Sequence, residues 1–364
     1  MGHIHEQGQH LLARATSVNC RPDRIGYVAT LDGNTLLLQP VNGAENSQWQ
    51  LDHEAGYLTL EWIGSHAEKP KHVEVLAAIE ATFVNFPAVG KLDLLTPFDQ
   101  VEELLRSGVL LRDKNNQLGV NIELFWQHPR MWLASPQLYA FPLTYLFSHG
   151  RRHPMRPPKP VGVVYQRHIP WLDRTLSFRT VDLHRDLERF NRWMNEPVVA
   201  ASWREEGDPA KHQAYLQNID ADPHVTGLIV SLDEEPFGYF EVYWAKEDRI
   251  APFYDVDDFD RGWHVLIGEP RFRGKPFVTA WLPSISHYLF LDDCRTRRIV
   301  IEPRSDNYKM IRNLAKCGYA NLKEFDFPHK RAMLGMLLRE RFFAERLWVP
   351  RDVIVTPCST SSLS

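Results

Sequence analysis

Cysteine is scarce: the 364 residues hold four, Cys20, Cys294, Cys317 and Cys358. They form no C-x-x-C pair and have no histidine at zinc-ligand intervals, which argues against a disulfide framework or a thiolate metal site. No run of about 18 apolar residues occurs, so no membrane-spanning helix is expected. The opening MGHIHEQGQHLLARA has no basic stretch followed by an apolar one, so no secretory leader is expected either, and a cytoplasmic location follows as the expectation. An excess of one charge is lacking too: 42 Lys and Arg face 46 Asp and Glu, a formal charge of -4. That balance offers no global field for nucleic acid or an anionic membrane. Any anion must then be met by a local basic patch. His3, His5 and His10 lie in a polar terminus, and no bound metal is expected.

What is present is the material of a core. Hydrophobic residues make up 44% and charged residues 24%, the balance of a globular chain, and the length suits two domains. The run HGRRHPMRPPKPVGVVY from His149 to Tyr165 carries four prolines, which end helices and fit poorly in central strands, so it reads as a linker or crossover. Upstream, 56–64 alternates as a strand, 72–87 has helical spacing, 91–95 reads as a strand and 98–111 as a helix. Downstream the pattern is richer. The spacing predicts a strand over 176–182 and a helix over 183–195. VTGLIVSL and FGYFEVYW then flank the turn from Asp233 to Pro236 as a hairpin. A strand through Val265 leads to a basic turn, a helix over 278–291, a strand over 297–303, a helix ending at Gly318 and a strand in AMLGMLL. This order defines an α/β domain with a mixed sheet, and the first half reads as a thinner copy of it.

The basic turn is Arg271-Phe272-Arg273-Gly274-Lys275-Pro276. Between a strand and a helix, backbone N–H groups and the helix dipole favour an anion, and three cations add charge-assisted contacts. Glycine lets a phosphate approach the main chain. A diphosphate fits such a place, although a solvated turn has the same composition.

This turn resembles the pyrophosphate loop of the GNAT acyltransferases, with Arg271 and Gly274 in register and Pro276 where that family usually has Gly or Ala. The departure removes one N–H donor. Longer stretches, NRWMNEPVVAASWREEG, GYFEVYWAKEDRI, HVLIGEPRFRG and KEFDFPHKRAMLGMLLRERFF, resemble the siderophore-pathway acetyltransferases that acylate N6-hydroxylysine or N5-hydroxyornithine, and the match runs from about His149 to Phe343. The resemblance implies a catalytic GNAT domain over 176–345, a degenerate GNAT-like domain over 1–148, a linker or crossover over 149–175 and a tail over 346–364. It implies acetyl-CoA or another acyl-CoA as co-substrate, held by Arg271, Arg273, Gly274 and Lys275, with Asn307 and Tyr308 on the pantetheine arm. It also implies siderophore-pathway enzymes as partners.

The same resemblance makes His264 the general base, with Glu302 as its acidic partner. A hydroxylamine nitrogen is mostly uncharged near neutral pH, so it attacks a thioester directly and must then shed a proton. An imidazole with a pKa near the working pH suits that task. Glu302 either orients His264 or accepts a hydrogen bond from the substrate N–OH. A backbone N–H near Val265 or Leu266 is implied as the oxyanion donor, and neither Cys294 nor Cys317 has a histidine placed to activate it. For a zwitterionic amino acid the candidates are Trp203, Arg204, Glu205, Tyr243, Lys246 and Asp248, because a carboxylate and an ammonium each want an opposite charge. Rival readings are acetylation of an ordinary amine, such as an aminoglycoside or polyamine, and a non-catalytic acyl-CoA-binding protein.

Overall fold

The computed structural model describes residues 17–54, 57–64, 69–137, 139–148 and 150–351. His3, His5, His10, Cys358 and the tail from residue 352 lie outside the described residues. The second compact unit comprises Leu133–Gln166 and Thr175–Trp348, and the remaining described residues form the first.

In the first unit the chain runs β1 (Val18–Cys20), β2 (Tyr27–Asp32), β3 (Thr35–Pro40), β4 (Ser47–Glu54), β5 (Tyr57–Trp62), α1 (His72–Asn85), β6 (Lys91–Leu94), α2 (Val101–Arg106), β7 (Leu111–Arg112), β8 (Leu118–Asn121) and α3 (Ile122–Phe125). Beyond it come β9 (Tyr145–Ser148), β10 (Arg151–Pro154), β11 (Val163–Ile169), β12 (Arg174–Thr180), α4 (Leu183–Met194), α5 (Pro197–Trp203), α6 (Pro209–Ala221), β13 (Val225–Leu232) and β14 (Glu235–Trp244). The second unit closes with β15 (Arg261–Ile267), α7 (Lys275–Asp292), β16 (Arg298–Ile301), α8 (Tyr308–Lys316), β17 (Ala320–Phe327), β18 (Lys330–Leu338) and α9 (Arg339–Ala344).

The two large sheets share one strand order. The first is β1-β2-β3-β4-β5-β6-β8-β7 and the second is β11-β12-β13-β14-β15-β16-β18-β17. In each, a helix carries the chain between two parallel neighbours, β5 to β6 and β15 to β16, while the other pairings are antiparallel. They differ where the second unit inserts α4, α5 and α6 between β12 and β13, the place of the tight turn between β2 and β3. Asp182 caps α4 by accepting from the His184 and Arg185 amides, which starts the helix where the strand pattern stops. Phe190, Trp193 and Met194 of α4 then bury against Ile229, Tyr239 and Leu266 of the sheet. Each such side chain stabilises the layer by roughly 1.5–3 kcal/mol.

The expected helix over 98–111 is shorter, Val101–Arg106, because Gln100 at φ 63° and Gly108 at φ 77° break it at both ends. The basic, proline-rich run is not a bare connector. It forms β10 and β11, and Arg156 makes a bidentate pair with Glu247 at 2.6 and 2.7 Å. Lys159 donates to the carbonyls of Ile219 and Asp220 at the end of α6. The second unit therefore begins well before residue 176.

The parallel pair β15–β16 positions the site. It is joined only at Arg261↔Ile299 and Gly262↔Val300, after which the strands part. His264 and Glu302 each stand two residues past the last pair. In the first unit the last pair is Leu60↔Leu94, and the residues two further on are Trp62 and Thr96. There the strands stay together, with the Trp62 amide donating to Thr96 Oγ1 at 2.6 Å and the Leu95 amide to the Leu60 carbonyl at 3.0 Å.

Candidate active site

Opposite His264 across the antiparallel β14–β15 ladder stands Glu241. Directly opposed residues put their side chains on one face, so the register alone brings this imidazole and carboxylate together. His264 Nδ1 lies 3.2 Å from Glu241 Oε2, and Nε2 lies 2.8 Å from Glu302 Oε1 across the parting strands. Each carboxylate has further partners. Glu241 Oε1 accepts from the Tyr215 hydroxyl and, at 3.1 Å, from the Tyr239 hydroxyl. Glu302 accepts from the Tyr243 hydroxyl at 2.9 Å and lies 3.4 Å from Arg249 and 3.5 Å from Lys330.

Burial by itself would lower the pKa of His264, but Glu302 and then Glu241 override it and raise the value to about 10. The expectation of an imidazole titrating near neutral pH came from reading His264 with one acidic neighbour. Two carboxylates hold it as imidazolium at neutral pH. Burial would likewise raise Glu302, yet His264, Lys330 and Arg249 hold it below the usual carboxylate range. Burial raises Asp248 and lowers Lys330.

These groups line one cavity of about 800 Å³. Trp203, Arg204, Glu205, Tyr243 and Asp248 from the sequence reading line it, as do Val265 and Asn307. The Trp203 indole donates to the Val265 carbonyl at 3.3 Å, which holds α5 against β15. Lys246 does not join them: its ammonium faces the Val256 carbonyl at 3.2 Å and Asp258 at 3.4 Å. Leu266 packs into the apolar cluster with Phe190 and Trp193. Asn307 Oδ1 caps α8 by accepting from the Met310 amide, and Tyr308 is exposed.

The basic turn follows β15 directly. Gly274 sits at φ 119° and ψ 178° as the residue before α7, with no side chain capping the helix. Arg271 is exposed and pairs with Glu235, and Lys275 opens the helix at the surface. Arg273 is committed elsewhere: it donates to Glu196 at 2.7 Å and to the Ile267 carbonyl at 2.7 and 3.1 Å. The open first turn, the glycine and the exposed cations fit a diphosphate, and Arg273 acts as the clamp that shapes the turn.

Sequence reasoning missed Glu241, Arg249, Lys330, Tyr215 and Tyr239. Glu241 carried a signal, since it is the one charge inside the aromatic run from Phe237 to Trp244. Arg249 and Lys330 carried none, because they reach the site from a loop and a strand start.

Residues 182–327 match the model described as an acetyltransferase (GNAT) domain, a class of acyltransferase with which the parted sheet beside His264 and the open helix N-terminus after it are in keeping. GNAT acetyltransferases take the acyl group from acetyl-CoA. The chain is 39% identical over 302 residues to the N(6)-hydroxylysine O-acetyltransferase of Escherichia coli, covering 82% of this chain and 92% of that protein, and it belongs to that acetyltransferase family. It is also 44% identical over 196 residues to the N(5)-hydroxyornithine:cis-anhydromevalonyl coenzyme A-N(5)-transacylase of Beauveria bassiana, covering 52% and 43% of the two chains. A hydroxyornithine transacylase of Ajellomyces capsulatus is 39% identical over 215 residues, covering 56% and 49%. The matched stretches span about half the length of these two fungal proteins.

Proposed function

We propose that this protein acetylates the side-chain hydroxylamine of N6-hydroxylysine, or of the one-methylene-shorter N5-hydroxyornithine, to give a hydroxamate for an iron(III)-binding siderophore, and that it does so in the cytoplasm beside the other enzymes of that synthesis. The observation that carries the reading is the parted β15–β16 pair with His264 held between Glu241 and Glu302 at the head of an 800 Å³ cavity.

Acetyl-CoA, when bound, supplies the thioester carbonyl that the hydroxylamine nitrogen attacks. Arg271, Lys275 and the first-turn amides of α7 hold its diphosphate, and Asn307 and Tyr308 flank its pantetheine arm. As the nitrogen bonds to carbon its proton passes to His264 Nε2, and a backbone N–H near Val265 meets the charge that develops on oxygen. Before this step the imidazolium gives up its Nε2 proton to solvent, a loss favoured once the substrate N–OH takes over the hydrogen bond at Glu302 and loosens the hold of that carboxylate. The C–S bond then breaks and the departing thiolate takes the proton back from Nε2. Trp203, Arg204, Glu205, Tyr243 and Asp248 surround the amino acid.

The first test is product identity. Acetyl-CoA is supplied with N6-hydroxylysine, N5-hydroxyornithine and lysine in parallel, and products are assigned by mass and by ferric hydroxamate colour. An acetyl group on nitrogen leaves the N–OH free and gives colour, whereas one on oxygen does not. Colour with a hydroxylated acceptor is expected, and acetylated product without colour would overturn transfer to nitrogen.

A further inference from the structure

The cavity carries more carboxylates than a hydroxylamine needs, yet most are already matched. Glu205 pairs with Lys211 at 3.1 Å, and Glu247 is held by Arg156. Glu241 is spent on His264 and two tyrosines. At Glu302 the balance tips the other way: His264, Arg249 and Lys330 all stand within 3.5 Å of its carboxylate. Arg249 arrives from the connection after β14 and Lys330 from the start of β18, so two separate elements bring cations to one buried acid. Lys330 is fixed by donating to the Glu302 carbonyl at 2.6 Å, and its side chain is only 13% exposed. Neither cation is required to satisfy the acid, since His264 and Tyr243 already donate to it at 2.8 and 2.9 Å.

We infer that Arg249 and Lys330 form a charge filter that admits an uncharged nucleophile to His264 and repels an ammonium. The inference rests on the hydroxylamine reading above and adds its selectivity determinant. A lysine side chain is an ammonium at neutral pH, with a pKa near 10.4. To present its nitrogen at Glu302 it must approach two like charges in a partly closed site, where a unit charge at about 4 Å still acts strongly. The hydroxylamine nitrogen carries no charge there and meets no such barrier. Asp248 and His329 face the same space.

The test compares kcat/KM for lysine and for N6-hydroxylysine, at saturating acetyl-CoA and pH 8, in the wild-type protein, Lys330→Gln and Arg249→Gln. Acetyl-CoA binding by each variant serves as the check on folding. Glutamine keeps a donor for the Glu302 carbonyl while removing the charge. The lysine-to-hydroxylysine ratio is expected to rise about tenfold in Lys330→Gln and by less in Arg249→Gln, whose side chain is half exposed to screening solvent. A ratio unchanged in both variants, or lysine still unused by both while N6-hydroxylysine is turned over, would overturn the filter and leave the hydroxylamine reading standing. No turnover of N6-hydroxylysine by the wild-type protein would sink both.

Discussion

At His264 one imidazole ring is held between two buried carboxylates, one at each nitrogen, and Glu241 is as much a part of that arrangement as Glu302. If the neutral imidazole is the proton acceptor, kcat/KM must climb with pH as the free protein loses the His264 proton, toward a limb near 10. The sign of the Glu241→Gln effect follows. Removing a carboxylate destabilises the imidazolium, the pKa of His264 falls, and the limb moves to lower pH. A pH profile of kcat/KM for the two proteins checks this, and an unmoved limb would take Glu241 out of the account. His264 was legible because a long matching stretch carried it, and Glu302 because the resemblance implies an acid at the end of the strand that follows. Glu241 stood out as the one charge in its aromatic run, but a lone acid in a strand says nothing of what lies across the ladder. The register of β14 on β15 supplies that information, and only the fold sets the register.

Among the elements, the turn from Arg271 to Lys275 is proposed to hold its diphosphate through backbone shape more than through its count of cations. Gly274 lies at φ 119° and ψ 178°, a region open almost only to glycine, while an added Cβ would meet nothing nearer than Pro276 Cδ at 4.0 Å. Gly274→Ala therefore costs conformation and not space, on the order of 1–3 kcal/mol. We expect the KM for acetyl-CoA to rise about tenfold while the KM for the hydroxylated acceptor stays within a factor of two. Equal losses on both substrates in steady-state kinetics would contradict a turn dedicated to the acyl donor. The sequence showed this turn plainly but not which of its cations are already paired within the protein. Arg273 reads like its neighbours, and only the structure shows it engaged with Glu196 and the Ile267 carbonyl. The strands β1 to β4 were not read in advance, and only for β1, Val18–Cys20, is the run too short for alternation to stand out.

Across the whole molecule one strand order serves twice, and the chemistry is present once. Where the second sheet has His264, Glu241 and Glu302, the first has Trp62, Trp49 and Thr96, judged from the last parallel pair and the facing ladder. Thr96 also ties its strand to β5, so among the described residues the first sheet shows no parting like the one beside His264. The account therefore assigns one acetyl-CoA and one reacting centre to each chain. The most direct measurement compares wild-type protein with His264→Ala for acetyl-CoA bound per chain, by calorimetry, and for ferric hydroxamate formed from N6-hydroxylysine. The account predicts about one acetyl-CoA per chain in both, with hydroxamate formation lowered about a hundredfold or more in the variant. Undiminished hydroxamate formation by His264→Ala would contradict it.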